Sequence, residues 1–370
     1  MRVDILETEL FSRYFSDVIG KNDLLPVNGV STDSRDIKKG DLFLAIKGEN
    51  FDGSEFVGEA LSGGATYAIV QSGDENRNTF LVDDVISFIG KICSRWMNDF
   101  DGNVIAVTGS NGKTTTKDLI SHILSKKGYD VSKTEGNFNT SIGVPLSIFS
   151  FPHNASQVYV LELGANRLGD IEYLSSMVKP DIGVITNISD AHLEGFGSIE
   201  NITKEKKSIL THSKKGYYNK DIPEPFRGLV NHPLGKNKVF LKNASIACKV
   251  CEDFMLEEDL VRFDELLQDF ILPKGRGEVC LLSNNITLID DAYNANPESV
   301  KAAIDNLQSY QTEGKKIFVF GDMKELGKDE VKFHEEIADY CDKKIDTIIC
   351  YGDLAKNTFN GSKNIPLSLH

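Results

Sequence analysis

Residues 104–115 read VIAVTGSNGKTT, a short apolar run that leads directly into a glycine-rich turn. Glycines let the backbone bend so that successive N–H groups point at phosphate oxygens. A helical pattern of apolar residues follows, and the positive N-terminal end of such a helix favours an anion. The alternative is a βα turn without a ligand. We predict an ATP-binding strand–loop–helix unit formed by Gly109, Ser110, Asn111, Gly112, Lys113, Thr114 and Thr115.

The spacing of this loop is GxxGKT, two residues tighter than the common GxxxxGKT motif. Lys113 supplies a positive charge for the outer phosphates, and the Thr114 hydroxyl is suited to bind Mg²⁺.

The remainder of the chain alternates apolar runs with helical periods. Apolar runs at 158–161, 182–185, 316–320 and 347–350 are separated by helical patterns. This alternation is typical of βαβ units and a mostly parallel sheet, so we predict an α/β fold. Three zones can be separated, and we expect them to be domains: 1–98, 99–272 and 273–370.

Composition narrows the class of protein. The 370 residues carry a net charge of −14, which argues against nucleic acid and membrane surfaces as partners. No run of eighteen apolar residues occurs, and the N-terminus has acidic residues where a signal peptide has basic ones. We expect a cytoplasmic monomer without membrane insertion. Cys248 and Cys251 form the single CxxC, which we interpret as two apolar positions of a helix.

Three polar residues follow or flank the central apolar runs. Glu162 ends the run 158–161, so its carboxylate is expected at the carboxyl edge of the sheet, where Mg²⁺ would bind. A surface acid at a strand end is the equal alternative. From the pattern alone, His192 is a structural hydrogen-bonding residue and Lys206 lies on a solvated helix face.

Several motifs together resemble the Mur ligases, the amide-forming enzymes of peptidoglycan precursor assembly. The resemblance spans about residues 30 to 330. It is carried by DSRDIKKGDLFLAIKGENFDG (33–53), TGSNGKTTTK (108–117), EGNFNTSIGVPLSIF (135–149), ELGANRLGDI (162–171), ITNISDAHLEGFGS (185–198), IDDAYNANPESV (289–300) and GDMKELG (321–327).

The resemblance implies a three-domain architecture: a UDP-substrate-binding domain, a central ATPase domain with a P-loop-type parallel sheet, and a shortened Rossmann-like C-terminal domain. It implies catalytic roles for Lys113, His192, Lys206 and Arg276, with Thr114, Glu162, His192 and Lys206 (as a carbamate) around two Mg²⁺ ions. It further assigns Asp291 and Asn294 to ATP, and Ser34, Arg35, Lys47, Asn137 and Asn139 to the sugar-peptide substrate. Two positions depart from the family pattern: Ser54 replaces a histidine and Ser208 replaces a glutamate.

Within the family, YNANP and AHLEGFGS resemble the member that joins D-alanyl-D-alanine to UDP-N-acetylmuramoyl-tripeptide with ATP. A sibling ligase with another acceptor, or a nucleotide-binding pseudoenzyme acting as a scaffold, are the alternatives. Residues 211–242 are shorter than the family pattern, and the chain stops before the expected last strands. A truncated chain, a streamlined enzyme and a degenerate copy all remain compatible with this.

Overall fold

The computed structural model describes residues 1–48, 51–190, 193–222, 229, 237–255, 263–342, 344–361 and 367–369. Four sheets are formed: two of five strands, one of three strands and one two-stranded hairpin. Helices in the described part of the chain are too short or too polar to cross a membrane.

The N-terminal sheet has five strands in sequential order. They are β1 Arg2–Asp4, β2 Gly29–Ser31, β3 Asp41–Leu44, β4 Tyr67–Val70 and β5 Thr79–Leu81, with helices α1 Thr8–Ile19, α2 Val57–Ser62 and α3 Val85–Asn98. Strand β1 is antiparallel to β2, and the other pairs are parallel. The guanidinium of Arg2 donates to both carboxylate oxygens of Asp41, at 2.7 and 2.9 Å, and so ties the edge strand to the sheet.

The central sheet is parallel throughout, in the order β10-β9-β6-β8-β7, as the alternating pattern predicts. Its strands are β6 Asn103–Thr108, β7 Val131–Lys133, β8 Val158–Glu162, β9 Ile182–Ile185 and β10 Lys215–Tyr218. Its helices are α4 Lys113–Lys126, α5 Gly143–Phe149, α6 Asp170–Val178, α7 Leu193–Phe196, α8 Ile199–Thr211, α9 Lys238–Cys251 and α10 Phe263–Leu266. After β6 the chain forms β7 and β8 on one side and then β9 and β10 on the other, and such a change of direction opens a crevice at the carboxyl ends of these strands.

The C-terminal part begins with a hairpin and continues as a parallel sheet. The hairpin pairs β11 Glu278–Leu281 with β12 Thr287–Asp290, and β13 Ile317–Phe320, β14 Thr347–Cys350 and β15 Leu367–Leu369 form the sheet. Helices α11 Pro297–Ser309, α12 Glu330–Cys341 and α13 Ala355–Gly361 accompany these strands.

The apolar cores do not correspond one to one with the sheets. One core joins the N-terminal sheet to one face of the central sheet, with Trp96 of α3 and Phe149 of α5 among its members. A second core fills the other face of the central sheet, beneath α4 and α9. The C-terminal part has a core of its own around Ile304. Cys248 and Cys251 are buried in the second core, in agreement with their interpretation as apolar helix positions.

Candidate active site

The central site lies where three neighbouring strands end. In the parallel register, Val107 of β6 pairs with Glu162 of β8, and Thr108 pairs with Ile185 of β9. The glycine-rich loop, the Glu162 carboxylate and the loop after β9 therefore emerge at one edge of the sheet. This edge is where parallel α/β sheets bind ligands.

Two glycines shape the phosphate loop. Gly109 has φ +149° and Gly112 has φ +79°, and neither leaves room for a Cβ. At Gly109 a Cβ would collide with Thr186 Oγ1, and at Gly112 it would collide with Asn243 Oδ1. Gly112 precedes α4, and within the described part of the chain no side chain caps this helix. The first N–H groups of α4 are thus available to an anion, as the strand–loop–helix prediction requires.

Lys113 folds back onto its own loop. Its Nζ donates to the carbonyl oxygens of Gly109 at 2.9 Å and Ser110 at 3.3 Å. Burial lowers the pKa of Lys113; Glu162 opposes this shift, and Arg276 adds to it. Because Glu162 comes from the central sheet and Arg276 from the C-terminal part, the Lys113 ammonium lies within electrostatic reach of both.

Glu162 has the arrangement expected of a metal ligand. Its side chain is buried, and Oε1 accepts a hydrogen bond from Asn139 Nδ2 at 2.8 Å. Among the described residues, nothing donates to the buried Oε2. A buried carboxylate oxygen without a donor is costly unless a cation or water binds it. Glu162 therefore fits Mg²⁺, and the surface-acid alternative is ruled out by its burial.

The described residues contain no group of three or more His, Cys, Asp or Glu that could hold a metal ion by itself. Mg²⁺ in nucleotide sites is commonly bound by one or two carboxylates together with water and substrate phosphate oxygens. Thr114 stands at the first turn of α4, on the same sheet edge. The predicted ligand His192 lies outside the described residues.

Lys206 is buried, which corrects the expectation of a solvated helix face. Only 2% of the residue is exposed, and within the described structure its Nζ neighbours the Phe196 ring at 5.7 Å. Burial lowers the pKa of Lys206 to about 7; Lys113 adds to this, while Glu205, Asp170 and Glu162 oppose it. The lysines of α8 suggest a solvated face, but α6 and α7 pack over the face that carries Lys206.

Arg276 and the loop after β12 form the C-terminal side of the site. The guanidinium of Arg276 stacks on the Tyr293 ring at 3.9 Å, and Tyr293 N donates to Gly275 O at 3.2 Å. Asp291 is exposed, yet desolvation by the groups around it raises its pKa, and Arg276 opposes this shift. Asn294 is exposed, with its Oδ1 accepting from Ala295 N. The predicted residues Arg276, Asp291 and Asn294 thus share one surface.

The candidate sugar-nucleotide residues lie at the carboxyl edge of the N-terminal sheet. Ser34 and Arg35 follow β2, and Lys47 follows the adjacent strand β3. Ser34 donates to Glu59 at 2.8 Å, Arg35 pairs with Asp33 at 2.6 Å, and Lys47 pairs with Asp52 at 3.7 Å. Arg35 is largely exposed, so a diphosphate could replace its local carboxylate partner.

Asn137 and Asn139 occupy the loop between β7 and α5. Asn137 is exposed, whereas Asn139 is half-buried and positions Glu162 through the hydrogen bond described above. Asn139 is thus associated with the metal-binding side of the site as well as with the predicted substrate side.

Four polar residues of the site have no prediction from the sequence. The Asn243 side chain is buried and packs against Gly112 from α9. Asn187 follows β9, and its Oδ1 accepts from Asn111 N at 2.6 Å. Asn296 and Glu298, at the start of α11, contact the phosphate loop from the C-terminal part. The polar residues of NANPE (294–298) were the only signal in the sequence for Asn296 and Glu298. The sequence of α9 contains no signal that would have identified Asn243.

Comparison with known proteins agrees with this architecture. The Mur ligase family catalytic domain matches residues 26–94, the Mur ligase middle domain matches 107–233, and the Mur ligase glutamate ligase domain matches 275–364. The predicted domain boundaries themselves stay predictions.

Two relatives are named UDP-N-acetylmuramoyl-tripeptide–D-alanyl-D-alanine ligase. The one from Bacillus subtilis is 34% identical over 89% of this chain and 80% of its own length. The one from Haemophilus influenzae is 31% identical over 88% of this chain and 81% of its own.

Solved structures agree with these relatives. MurF from Acinetobacter baumannii superposes with a TM-score of 0.83 at 27% identity, over 96% of this chain and 89% of that one. MurF from Thermotoga maritima in complex with ADP has a TM-score of 0.78 at 30% identity, and the match covers 92% of this chain and 87% of that one. By these matches and by the fold, the chain belongs to the Mur ligase family.

Proposed function

We propose that this protein joins D-alanyl-D-alanine to UDP-N-acetylmuramoyl-tripeptide at the expense of ATP. The observation that carries the proposal is the phosphate loop, whose Lys113 interacts electrostatically with both Glu162 and Arg276. The names of the relatives with 34% and 31% identity support this choice of substrates. ADP in the related Thermotoga maritima structure supports ATP as the nucleotide.

The reaction proceeds in two steps. A carboxylate oxygen of the tripeptide attacks the γ-phosphorus, a new O–P bond forms, and ADP leaves as the Pγ–O bond to it breaks. The amine of D-alanyl-D-alanine then attacks the acyl phosphate, loses a proton and expels inorganic phosphate as the amide forms. A carboxylate is a poor electrophile, so phosphorylation supplies the leaving group that amide formation needs.

The main role of the residues in this site is to neutralise the negative charge of the ATP phosphates. Lys113 turns from the loop carbonyls towards the outer phosphate oxygens, and Arg276 approaches them from the C-terminal side. Glu162, Thr114, His192 and Lys206 would hold Mg²⁺, which when bound supplies positive charge at the β- and γ-phosphates. The buried Oε2 of Glu162, to which no described residue donates, supports this ligand set.

Lys206 contributes as a carbamate. A pKa of about 7 leaves a large share of its amine neutral at physiological pH. A neutral amine attacks CO₂, forms an N–C bond and loses a proton, which yields an anion in place of an ammonium. The burial of Lys206 near the half-buried Lys113 favours that change, because an anion there relieves the repulsion between the two ammonium groups.

The two substrates reach this centre from different sides. Ser34, Arg35 and Lys47 bind the UDP moiety at the edge of the N-terminal sheet, and Asn137 and Asn139 lie between the sugar-peptide and the nucleotide. Asp291 and Asn294 bind the ribose and the adenine from the C-terminal part. A cytoplasmic, monomeric enzyme is part of this proposal, and the water-soluble nucleotide-linked substrate supports the location.

The test is a coupled assay of amide product and phosphate release with all three substrates. Lys113→Ala should lower turnover by at least about 100-fold, since it removes the charge aimed at the transferred phosphoryl group. Lys91→Ala, at an exposed position of α3, is the matched control and should retain full activity. Nucleotide binding by the unaltered chain without any amide product would reject the ligase and favour a scaffold. Product with a different acceptor would favour a sibling ligase.

A further inference from the structure

The start of α11 touches the phosphate loop directly. Asn296 Nδ2 donates to Asn111 Oδ1 at 2.6 Å, and Asn111 Nδ2 approaches Asn296 Oδ1 at 3.4 Å. The two side-chain amides therefore form a reciprocal pair. This pair joins a residue of the C-terminal part to the middle of the GSNGKT loop.

Glu298 adds a charged acceptor to the same contact. Its Oε2 accepts from Asn187 Nδ2 at 2.6 Å and from Asn111 Nδ2 at 2.9 Å. Asn111 belongs to the loop after β6, and Asn187 to the loop after β9. One carboxylate oxygen from the C-terminal part thus holds two separate loops of the central sheet.

The two loops are also bonded to one another. Asn111 N donates to Asn187 Oδ1 at 2.6 Å, and Thr186 Oγ1 donates to Asn111 O at 2.5 Å. Consequently Asn187 fixes the backbone of the phosphate loop with one end of its amide, while Glu298 holds the other end. The orientation of the Asn187 amide is set when both bonds are made.

Capping of α11 accounts for only part of this arrangement. Asn296 Oδ1 accepts from Ser299 N at 3.0 Å, and Ser299 Oγ accepts from Asn296 N at 3.0 Å, which completes a capping box. Asn296 Nδ2 is not needed for that cap, and it points to Asn111 instead. Among the described residues, the hydrogen bonds of the Glu298 carboxylate go to Asn111 and Asn187 outside α11, although an acidic residue in the first turn also favours the helix dipole.

We propose that Glu298 and Asn296 are positioning residues that couple docking of the C-terminal part to the conformation of the phosphate loop. The inference rests on the proposed function. When the C-terminal part is docked, Glu298 orients Asn187 and Asn111, and the loop N–H groups stay aimed at the phosphates. When it moves away, both loops lose their common acceptor, so ATP is activated only in the docked arrangement.

The first arm of the test is kinetic. Glu298→Ala should lower kcat/KM for ATP by about 10-fold, the size expected when one charged acceptor of two hydrogen bonds is removed. Glu298→Gln keeps an acceptor oxygen and should lose less. Glu298→Ala and Asn187→Ala together should lose less than the sum of the two single losses, because the two variants share the contact between Glu298 and Asn187. Glu313→Ala, at an exposed position after α11, is the control and should match the unaltered chain.

The second arm needs no ligase substrates, so it stands even if the ligation assay yields no product. Hydrogen exchange of the nucleotide-free chain should quicken at residues 110–112 and 186–189 in Glu298→Ala, and not in Glu313→Ala. A role confined to the helix dipole would instead quicken exchange in α11 alone. That result, or strictly additive kinetic losses in the double variant, would overturn the proposal.

Discussion

Buried charge at single residues determines the chemistry of this site. Lys206 and Lys113 lie near one another in the interior, with Glu162 and Glu205 as acidic neighbours. Removing an ammonium group from water is costly, so its pKa falls until the neutral form competes. Glu205 is itself engaged, because its carboxylate accepts from Gly169 N at 2.7 Å and Ile171 N at 2.5 Å. Lys206 therefore lacks a dedicated counter-ion among the described residues.

Replacing Lys206 with Met should alter the pH dependence of stability. The pKa of Lys206 is about 7 in the folded protein and 10.5 in the unfolded chain. Between these values the unfolded chain binds more protons, so stability rises with pH, and below pH 7 the folded protein carries the full penalty. Lys206→Met should therefore raise Tm relative to the unaltered chain at pH 6.5, with the difference vanishing towards pH 10.

The measurement is thermal unfolding in CO₂-free buffers at pH 6.5, 8 and 9.5. Lys207→Met changes the exposed neighbour on the same helix and should leave the pH profile unchanged. Parallel Tm profiles for Lys206→Met and the unaltered chain would show that burial of the ammonium has no energetic consequence.

Glu162→Gln should weaken Mg²⁺ binding, and so raise the Mg²⁺ concentration that activity requires, without unfolding the protein. The amide oxygen can keep the bond to Asn139, but the neutral side chain presents no anionic oxygen to a cation. The Mg²⁺ concentration for half-maximal ligation should rise by about 10-fold or more. Glu172→Gln, on the exposed side of α6, serves as the control. Equal Mg²⁺ titration curves for the two variants would remove Glu162 from the metal site.

At the scale of elements, the turn between β6 and α4 depends on contacts as well as on backbone freedom. Gly112 and Gly128 bracket α4, and both have a positive φ, at +79° and +89°. A Cβ at Gly112 would collide with Asn243 of α9, whereas a Cβ at Gly128 would meet no atom within 4 Å. Alanine substitutions at these two glycines therefore separate the free-energy cost of the left-handed backbone from the cost of a steric collision.

Gly112→Ala should lose ATP affinity, while Gly128→Ala should lose only stability. Each variant incurs about 1 kcal/mol for the left-handed conformation. In Gly112→Ala the added methyl must also displace Asn243 or the loop, so nucleotide affinity should fall at least about 10-fold. Calorimetric titration with ATP and thermal unfolding of both variants provide the check. Unchanged affinity in Gly112→Ala would mean that the loop tolerates a shift at its last turn.

At the scale of the whole molecule, the cores divide the chain unevenly. The N-terminal sheet and one face of the central sheet share a single core, whereas the C-terminal part has a separate one. Contacts such as Asn111 with Asn296, and Glu194 N with Glu325 O at 3.3 Å, connect the C-terminal part through polar groups. A polar connection permits the C-terminal part to move without disrupting an apolar core.

We expect the C-terminal part to unfold separately from the rest. Ile304→Ala and Ile89→Ala remove the same atoms from fully buried positions in the two cores, each at a cost of about 2–5 kcal/mol. Ile304→Ala should lower only the transition of the C-terminal part, and Ile89→Ala only that of the remainder. Hydrogen exchange along a denaturant series assigns each transition to its residues. A single transition that both variants shift equally would contradict this division.

Predictions from the sequence succeeded where structure depends on neighbouring residues. The central strands have strong local patterns, and they fold as expected. The edge strand β1 and helix α1 were not predicted, because β1 has three residues and gains its place through Arg2 and distant Asp41. Lys206 was misjudged for the same reason, since three lysines on one helix resemble a solvated face until other helices cover it.

The sequence by itself determined the strand–GSNGKT–helix unit, the alternation that gives a parallel sheet, and the motifs that imply family membership. These follow from backbone freedom and from side-chain periodicity, which act within a few residues. Only the tertiary structure decided that Lys206 is buried, that Asn243 packs against Gly112, and that Glu298 reaches the phosphate loop. Each of these depends on packing between segments far apart in the chain, where solvent exclusion sets the cost of charge and polar groups find their partners.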